Sequence, residues 1–241
     1  MIDVRRSFVF FLASMTGAVA VLTMGFAGSV SAETVITAPG VQVTKRTYAA
    51  PGNEQPFFGF AEKTDAQREA DDKFVKALVQ AAGTPEKALE EVARRGWRAL
   101  GSGKLAEAAQ RFNQAYLVAP EQSVVYHGLA AVAQMRFNDL DFAEELFRIA
   151  RKQPNPLKVL NADYGRVLLV AKRPKDAQPV LEQAVRDTPD FGDAWTNLAS
   201  ARLQNGDRYA ACVAANEAMK QRPSTNASVD LARLRNDANC R

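Results

Sequence analysis

Any Ser–His–Asp or Cys–His centre in this chain has to run through His127, its only histidine. Such centres need a base within hydrogen-bond reach of a hydroxyl or thiol. The two cysteines, Cys212 and Cys240, lie near the C-terminal end, far along the chain from His127. No Gly-x-Ser-x-Gly turn is present to hold a serine nucleophile. A zinc site takes three or four nitrogen, sulfur or carboxylate ligands, and none are grouped at ligand spacing. Gly101-Ser102-Gly103-Lys104 has the residue types of a phosphate loop without its spacing, and reads as a turn between helices. The carboxylate pairs Glu90-Glu91 and Glu144-Glu145 read as exposed helix faces rather than acid–base pairs. These residues point away from an enzyme, and toward a protein that needs no cofactor and no metal.

The elements that carry these residues follow a period. A small residue recurs about every 34 positions, at Ala108, Ala143, Ala177 and Ala211. Another alanine follows seven residues later, at Ala115, Ala150, Ala184 and Ala218. Between them sits Phe112, Phe147, Leu181 or Ala215, and Pro120, Pro189 and Pro223 close three of the units. Pro154 and Pro156 bracket the same place in the other. Small residues let two helices approach, the larger apolar one fills the gap, and proline ends the helix. A period of this length predicts stacked helix pairs, each too small to bury its apolar face alone.

The pattern resembles the tetratricopeptide repeat. The last unit reads Trp195, Leu198, Ala199, Ala211, Ala218, Pro223, and the third reads Tyr164, Gly165, Leu168, Ala177, Leu181, Ala184, Pro189. The first gives Gly96, Ala108, Phe112, Ala115 and Pro120, with Val92 where the pattern expects an aromatic. The second gives Tyr126, Leu129 and Ala130, then one extra residue before Ala143. The resemblance covers about residues 86 to 240. The stretch from Gly96 to Ala119, with Phe112-Asn113-Gln114-Ala115, is also similar to small exported proteobacterial repeat proteins, a group that brings no assigned activity. The resemblance implies an all-α, right-handed superhelix of about four helix pairs. The units fall at about 86–120, 121–156, 157–189 and 190–223, with an N-terminal extra helix over 64–83 and a capping helix over 224–239. Together, 84–241 form the repeat domain.

Residues 1–32 have the order of an export signal. Arg5 and Arg6 precede an apolar run from about Phe8 to Phe26, and Val30-Ser31-Ala32 supplies a small-residue cleavage site. This places the mature start at Glu33 and the protein in the periplasm, with no membrane attachment after cleavage. An uncleaved signal would anchor it in the inner membrane instead. Arg5-Arg6-Ser7-Phe8 faintly suggests the twin-arginine route, and no cysteine ends the apolar run as a lipoprotein would require. Residues 33–63 hold Pro39, Gly40, Pro51, Gly52, Pro56 and Gly59 and read as a flexible arm ending in Phe57-Phe58-Gly59-Phe60. Those aromatics fit either packing onto the first helix, which would hold the arm down, or docking on a partner. Thr64 and Gln67 have capping-box spacing, Thr84 and Pro85 open a second helix, and Asp139, Asp190, Asp207 and Ser224 sit where later helices should start.

The net charge is +4, with 31 Lys and Arg against 27 Asp and Glu, and the charges are interspersed. No basic stripe with interleaved aromatics argues for nucleic acid. In the family, fixed positions on the first helix of each pair face a concave groove. Carried over by register, these are Ala93 and Trp97, then His127, Ala131 and Gln134, then Ala162 and Arg166, then Thr196 and Ser200. The Lys and Asn clamp by which some members grip a C-terminal carboxylate is missing. Ala93 and Trp97 stand in its place in the first unit. Trp97 reads as a groove anchor or as core against the N-terminal helix. Two antiparallel helices joined near Pro223 would bring Cys212 and Cys240 together, and an oxidising compartment favours a bond between them. The expected function is a non-catalytic periplasmic scaffold that binds a protein or peptide. Alternatives are an accessory subunit of a pilus, secretion or polysaccharide-export machine, and a cell-wall-acting enzyme or chaperone-like factor.

Overall fold

The computed structural model describes residues 33–240. The expected export signal over 1–32, with its cleavage after Ala32, lies outside the described residues. Among the described residues there are ten α-helices and one two-stranded antiparallel sheet. Helix α1 (Asp65–Ala82) precedes four helix pairs, and a last helix follows them. The pairs are α2 (Pro85–Gly101) with α3 (Leu105–Val118), and α4 (Ser123–Phe137) with α5 (Leu140–Ala150). Then come α6 (Leu160–Val170) with α7 (Pro174–Asp187), α8 (Gly192–Gln204) with α9 (Arg208–Lys220), and finally α10 (Thr225–Ala238). Each helix packs on its neighbours in the chain, as stacked pairs do.

The helix starts follow local chemistry. The Thr64 hydroxyl accepts from the Gln67 amide while the Gln67 side chain accepts from the Thr64 N–H, a complete capping box. Thr84 accepts from Lys87 N–H, with Pro85 in the first turn. Asp139, Asp207 and Ser224 cap α5, α9 and α10. Asp190 does not cap: a turn from Thr188 to Phe191 delays α8, which starts at Gly192. Asp193 instead accepts the Ser224 N–H and hydroxyl, both at 2.7 Å, and ties the start of α10 to α8.

The repeating alanines are the contact points. Ala108, Ala115, Ala143, Ala150, Ala177, Ala184, Ala211 and Ala218 are all fully buried. Phe112 fills the space between the first two units, and a Cβ at Gly96 or Gly128 would come within 2.8 or 2.1 Å of its ring. Helix-to-helix approach is therefore set by a bare glycine face on both sides of one aromatic.

Residues 33–63 are not the flexible arm that their proline and glycine content suggests. Strand β1 (Thr34–Ala38) pairs antiparallel with β2 (Val41–Thr44), around Gly40 at φ 74°. Val41 and Val43 point inward while Gln42 points out, the alternation of a half-buried strand. A short 3-10 turn (Gly52–Glu54) and a left-handed turn over Phe57–Phe60 follow. Phe57 is 4% exposed and packs edge-on against Tyr116, near Tyr126 and Phe60. Burying these apolar groups on α3, α4 and α5 offsets the entropy of ordering the segment, at about 2 kcal/mol per large side chain.

At the other end, the structure places Cys212 and Cys240 at disulfide distance, with Cα atoms 5.3 Å apart and a separation of 28 positions in sequence. In the chain-entropy account a loop of this size stabilises by about 3 kcal/mol. Cys240→Ser is expected to lower the unfolding free energy by about that amount. Urea denaturation under oxidising conditions measures it, and labelling of both thiols in unfolded, unreduced protein would contradict the bond.

Candidate functional site

The first helices α2 and α4 lie side by side, and on their face is a cleft of about 680 Å³. Its apolar lining comes from Leu89, Ala93 and Trp97 of α2, Val118 of α3, Val124 of α4, and Leu157 before α6. Glu86, Glu90 and Glu121 stand among these walls with Arg94. Leu89 and Trp97 are half-buried, and Leu157 is 37% exposed. Clefts of this size hold a few large side chains.

Trp97 joins the cleft to the core. Its ring lies edge-on to Phe112 at 5.0 Å and to His127 at 4.6 Å between centroids. The residue is thus packed on the first and second units while it lines the cleft. His127 is fully buried, with Nε2 2.9 Å from Asp163 Oδ2 and Nδ1 without a partner. It holds α4 to α6 and offers no ring to a ligand. Thr196 is likewise withdrawn, 1% exposed, its hydroxyl donating to the Gly192 carbonyl at 3.0 Å. A helical Thr finds that carbonyl one turn back, which is why its place in the register does not make it a surface group. Ala162 is buried, whereas Gln134 and Ser200 are partly exposed and Arg166 is exposed. So of the positions carried over by register, Trp97, Ala131, Gln134, Arg166 and Ser200 remain accessible in part. Met135 and Val170, which the register did not single out, are 50% and 45% exposed.

The carboxylate pairs divide. Glu91 accepts from Arg94 and Arg95, and these hydrogen bonds hold its carboxyl below the usual range. Glu144 is not an exposed face: it is 7% exposed, pairs with Arg148 at 3.0 Å and with Arg173, and lies 3.4 Å from the Tyr164 hydroxyl. Those partners come from α5, α6 and the start of α7, so it ties the second unit to the third. Glu145 accepts the Thr44 N–H at 2.6 Å, which closes the outer edge of β2. Neither carboxylate is free for acid–base work. No group of three or more His, Cys, Asp or Glu could hold a metal among the described residues.

The face of α3 and α5 carries the N-terminal segment. Asn113, fully buried, donates to the Asn53 and Gln55 carbonyls at 3.0 and 2.7 Å and accepts from Phe58 N–H at 3.4 Å. The Tyr116 hydroxyl donates to the Thr37 carbonyl at 2.9 Å, and the Tyr126 hydroxyl lies 3.2 Å from the Thr37 hydroxyl. Burial pushes both phenols up, so they stay neutral. Tyr48 stacks on Phe137 at 3.9 Å and donates to Asp139 at 3.0 Å. The aromatics at Phe57–Phe60 therefore dock on the chain's own helices.

Comparison with known proteins agrees with this architecture. Residues 163–227 match the tetratricopeptide repeat family model, from within α6 to the start of α10. No curated protein matches. Among solved structures, PilF of Pseudomonas aeruginosa is similar with a TM-score of 0.56 at 21% identity, over 64% of this chain and 71% of that one. A chain of the APC/C hetero-tetramer Cut9–Hcn1 is similar at 0.54 and 19% identity, over 70% of this chain but only 34% of that one. The protein TTC0263 of Thermus thermophilus is similar at 0.51 and 18%, over 68% of this chain and 98% of that one. At such identities the likeness concerns the fold. The third and fourth helix pairs thus match the tetratricopeptide repeat directly, and all four pairs share the stacked arrangement of these solved structures.

Proposed function

We propose that the protein is a non-catalytic scaffold that holds a protein or peptide partner on the face of its first helices, and that it does so in the periplasm. The cleft at Leu89, Ala93 and Trp97 carries this reading, because it sets half-exposed apolar walls on the face that the repeat fold leaves open. The solenoid supports it as an architecture suited to protein–protein contact, and the Cut9–Hcn1 structure is of such a fold within a hetero-tetramer. Export rests on the order Arg5-Arg6, apolar run, Val30-Ser31-Ala32, and on a cysteine pair at bonding distance. An accessory role in an envelope machine is the natural setting for an exported scaffold.

The test uses the partner recovered by crosslinking in intact cells. Trp97→Ala or Arg166→Ala is expected to weaken that complex by roughly 1–3 kcal/mol, with helicity unchanged. Arg186→Ala, on an exposed face of α7, should leave it intact. Loss of helicity in Trp97→Ala would make Trp97 a core residue only, and Leu89→Ser then reads the cleft without touching Phe112. Normal binding by all of these variants would place the site elsewhere.

A further inference from the structure

The cleft has a charge that the chain as a whole does not. The protein carries +4, yet three carboxylates, Glu86, Glu90 and Glu121, line this one apolar depression. All three residues are exposed. The basic group beside them, Arg94, is occupied by Glu91. No Lys or Arg lies within ion-pair distance of Glu86, Glu90 or Glu121 among the described residues. Glu121 has only the neutral Gln122 amide, at 3.4 Å. The Glu86 carboxyl is held below the usual range by its own backbone N–H and by Thr84 at the helix start. Glu91, on the same helix, is neutralised by Arg94 and Arg95. Glu86, Glu90 and Glu121 instead leave three unpaired negative charges around one apolar floor.

We infer that this cleft selects a peptide segment in which one or two large apolar side chains are flanked by Lys or Arg. The inference rests on the groove reading above and adds the partner's chemistry to it. The apolar side chains would enter between Leu89, Trp97, Val124 and Leu157. The flanking cations would meet Glu86 and Glu90 on one helix and Glu121 across the cleft. A rim of this kind sets choice of partner and encounter rate, and its contribution falls with salt. An acidic segment would be repelled, and a neutral apolar one would gain from the floor alone.

A random twelve-residue peptide library displayed on phage and selected on the chain from Glu33 onward, which contains every described element, tests this. Enriched peptides should combine an aromatic or large aliphatic anchor with at least two flanking Lys or Arg. Measured with those peptides, the triple variant Glu86→Gln, Glu90→Gln, Glu121→Gln should bind roughly tenfold more weakly at low salt, and most of that difference should vanish at high salt. The substitutions are on exposed positions, and unchanged circular dichroism confirms that the variant is folded. Enriched peptides that need Leu89 but show no basic flanks, or that bind the triple variant as well as the parent, would overturn the charge inference and leave the groove standing. Enriched peptides indifferent to Leu89→Ser and to the triple variant, or no enrichment at all, would overturn both.

Discussion

Gly128→Ala is expected to loosen the joint between the first and second helix pairs, although alanine is the better helix former. The intrinsic preference favours Ala by about 1 kcal/mol inside a helix. Against this, the new methyl would sit 2.1 Å from Phe112 Cδ1 and 2.2 Å from Cε1. The Phe112 ring is fully buried and is hemmed in by Gly96, 2.8 Å from a Cβ there, and by Trp97 at 5.0 Å. It has nowhere to turn. Overpacking of this kind costs about 3 kcal/mol, so the net effect is a loss of about 2 kcal/mol, seen as a lower urea midpoint. Phe112→Leu in the same chain should restore part of that stability, although alone it leaves a void and destabilises. A Gly128→Ala protein as stable as the parent would mean that α4 does not close on Phe112.

Asn113→Ala should free the N-terminal segment without unfolding the solenoid. One buried amide satisfies the carbonyls of Asn53 and Gln55 and the N–H of Phe58. Removing it strands three backbone groups beneath Phe57, at about 1–3 kcal/mol for each group that finds no water. The segment it holds is already costly: Phe57, Phe58 and Phe60 have φ of 52, 56 and 56°, in the left-handed region that bulky residues avoid. Limited proteolysis should cut within residues 45–62 of the variant and spare the parent, while the helices melt nearly as before. Equal protection in both would show that the packing of Phe57, Tyr48 and Val43 suffices alone.

The repeats were legible because their chemistry is local and periodic. Ala108, Phe112 and Ala115 lie on one helix face, and Thr64 and Thr84 act on backbone groups three residues away. Cys212 and Cys240 could be paired from the antiparallel sense of the last two helices. The N-terminal hairpin was not legible because its partners, Tyr116, Tyr126, Asn113 and Glu145, are 55 to 101 residues distant. Gly and Pro content reports turns and says nothing of such distant contacts. The register of the first helices pointed to Trp97, which lines the cleft, and to Arg166, which is exposed. It misplaced His127 and Thr196, whose polar atoms are used within the fold, and the paired carboxylates wrongly suggested a surface position for Glu144. Nor did it give any sign of the acidic rim, because Glu86, Glu90 and Glu121 meet only when α2 and the α3–α4 junction come together.

The central claim is that a partner is held on the first-helix face at Leu89. A photo-activated crosslinking amino acid placed at Leu89, and separately at Arg186, measures this directly in intact cells. The account predicts a discrete protein adduct from position 89, lost on Trp97→Ala, and none from position 186. Adducts from position 186 with none from position 89 would contradict it.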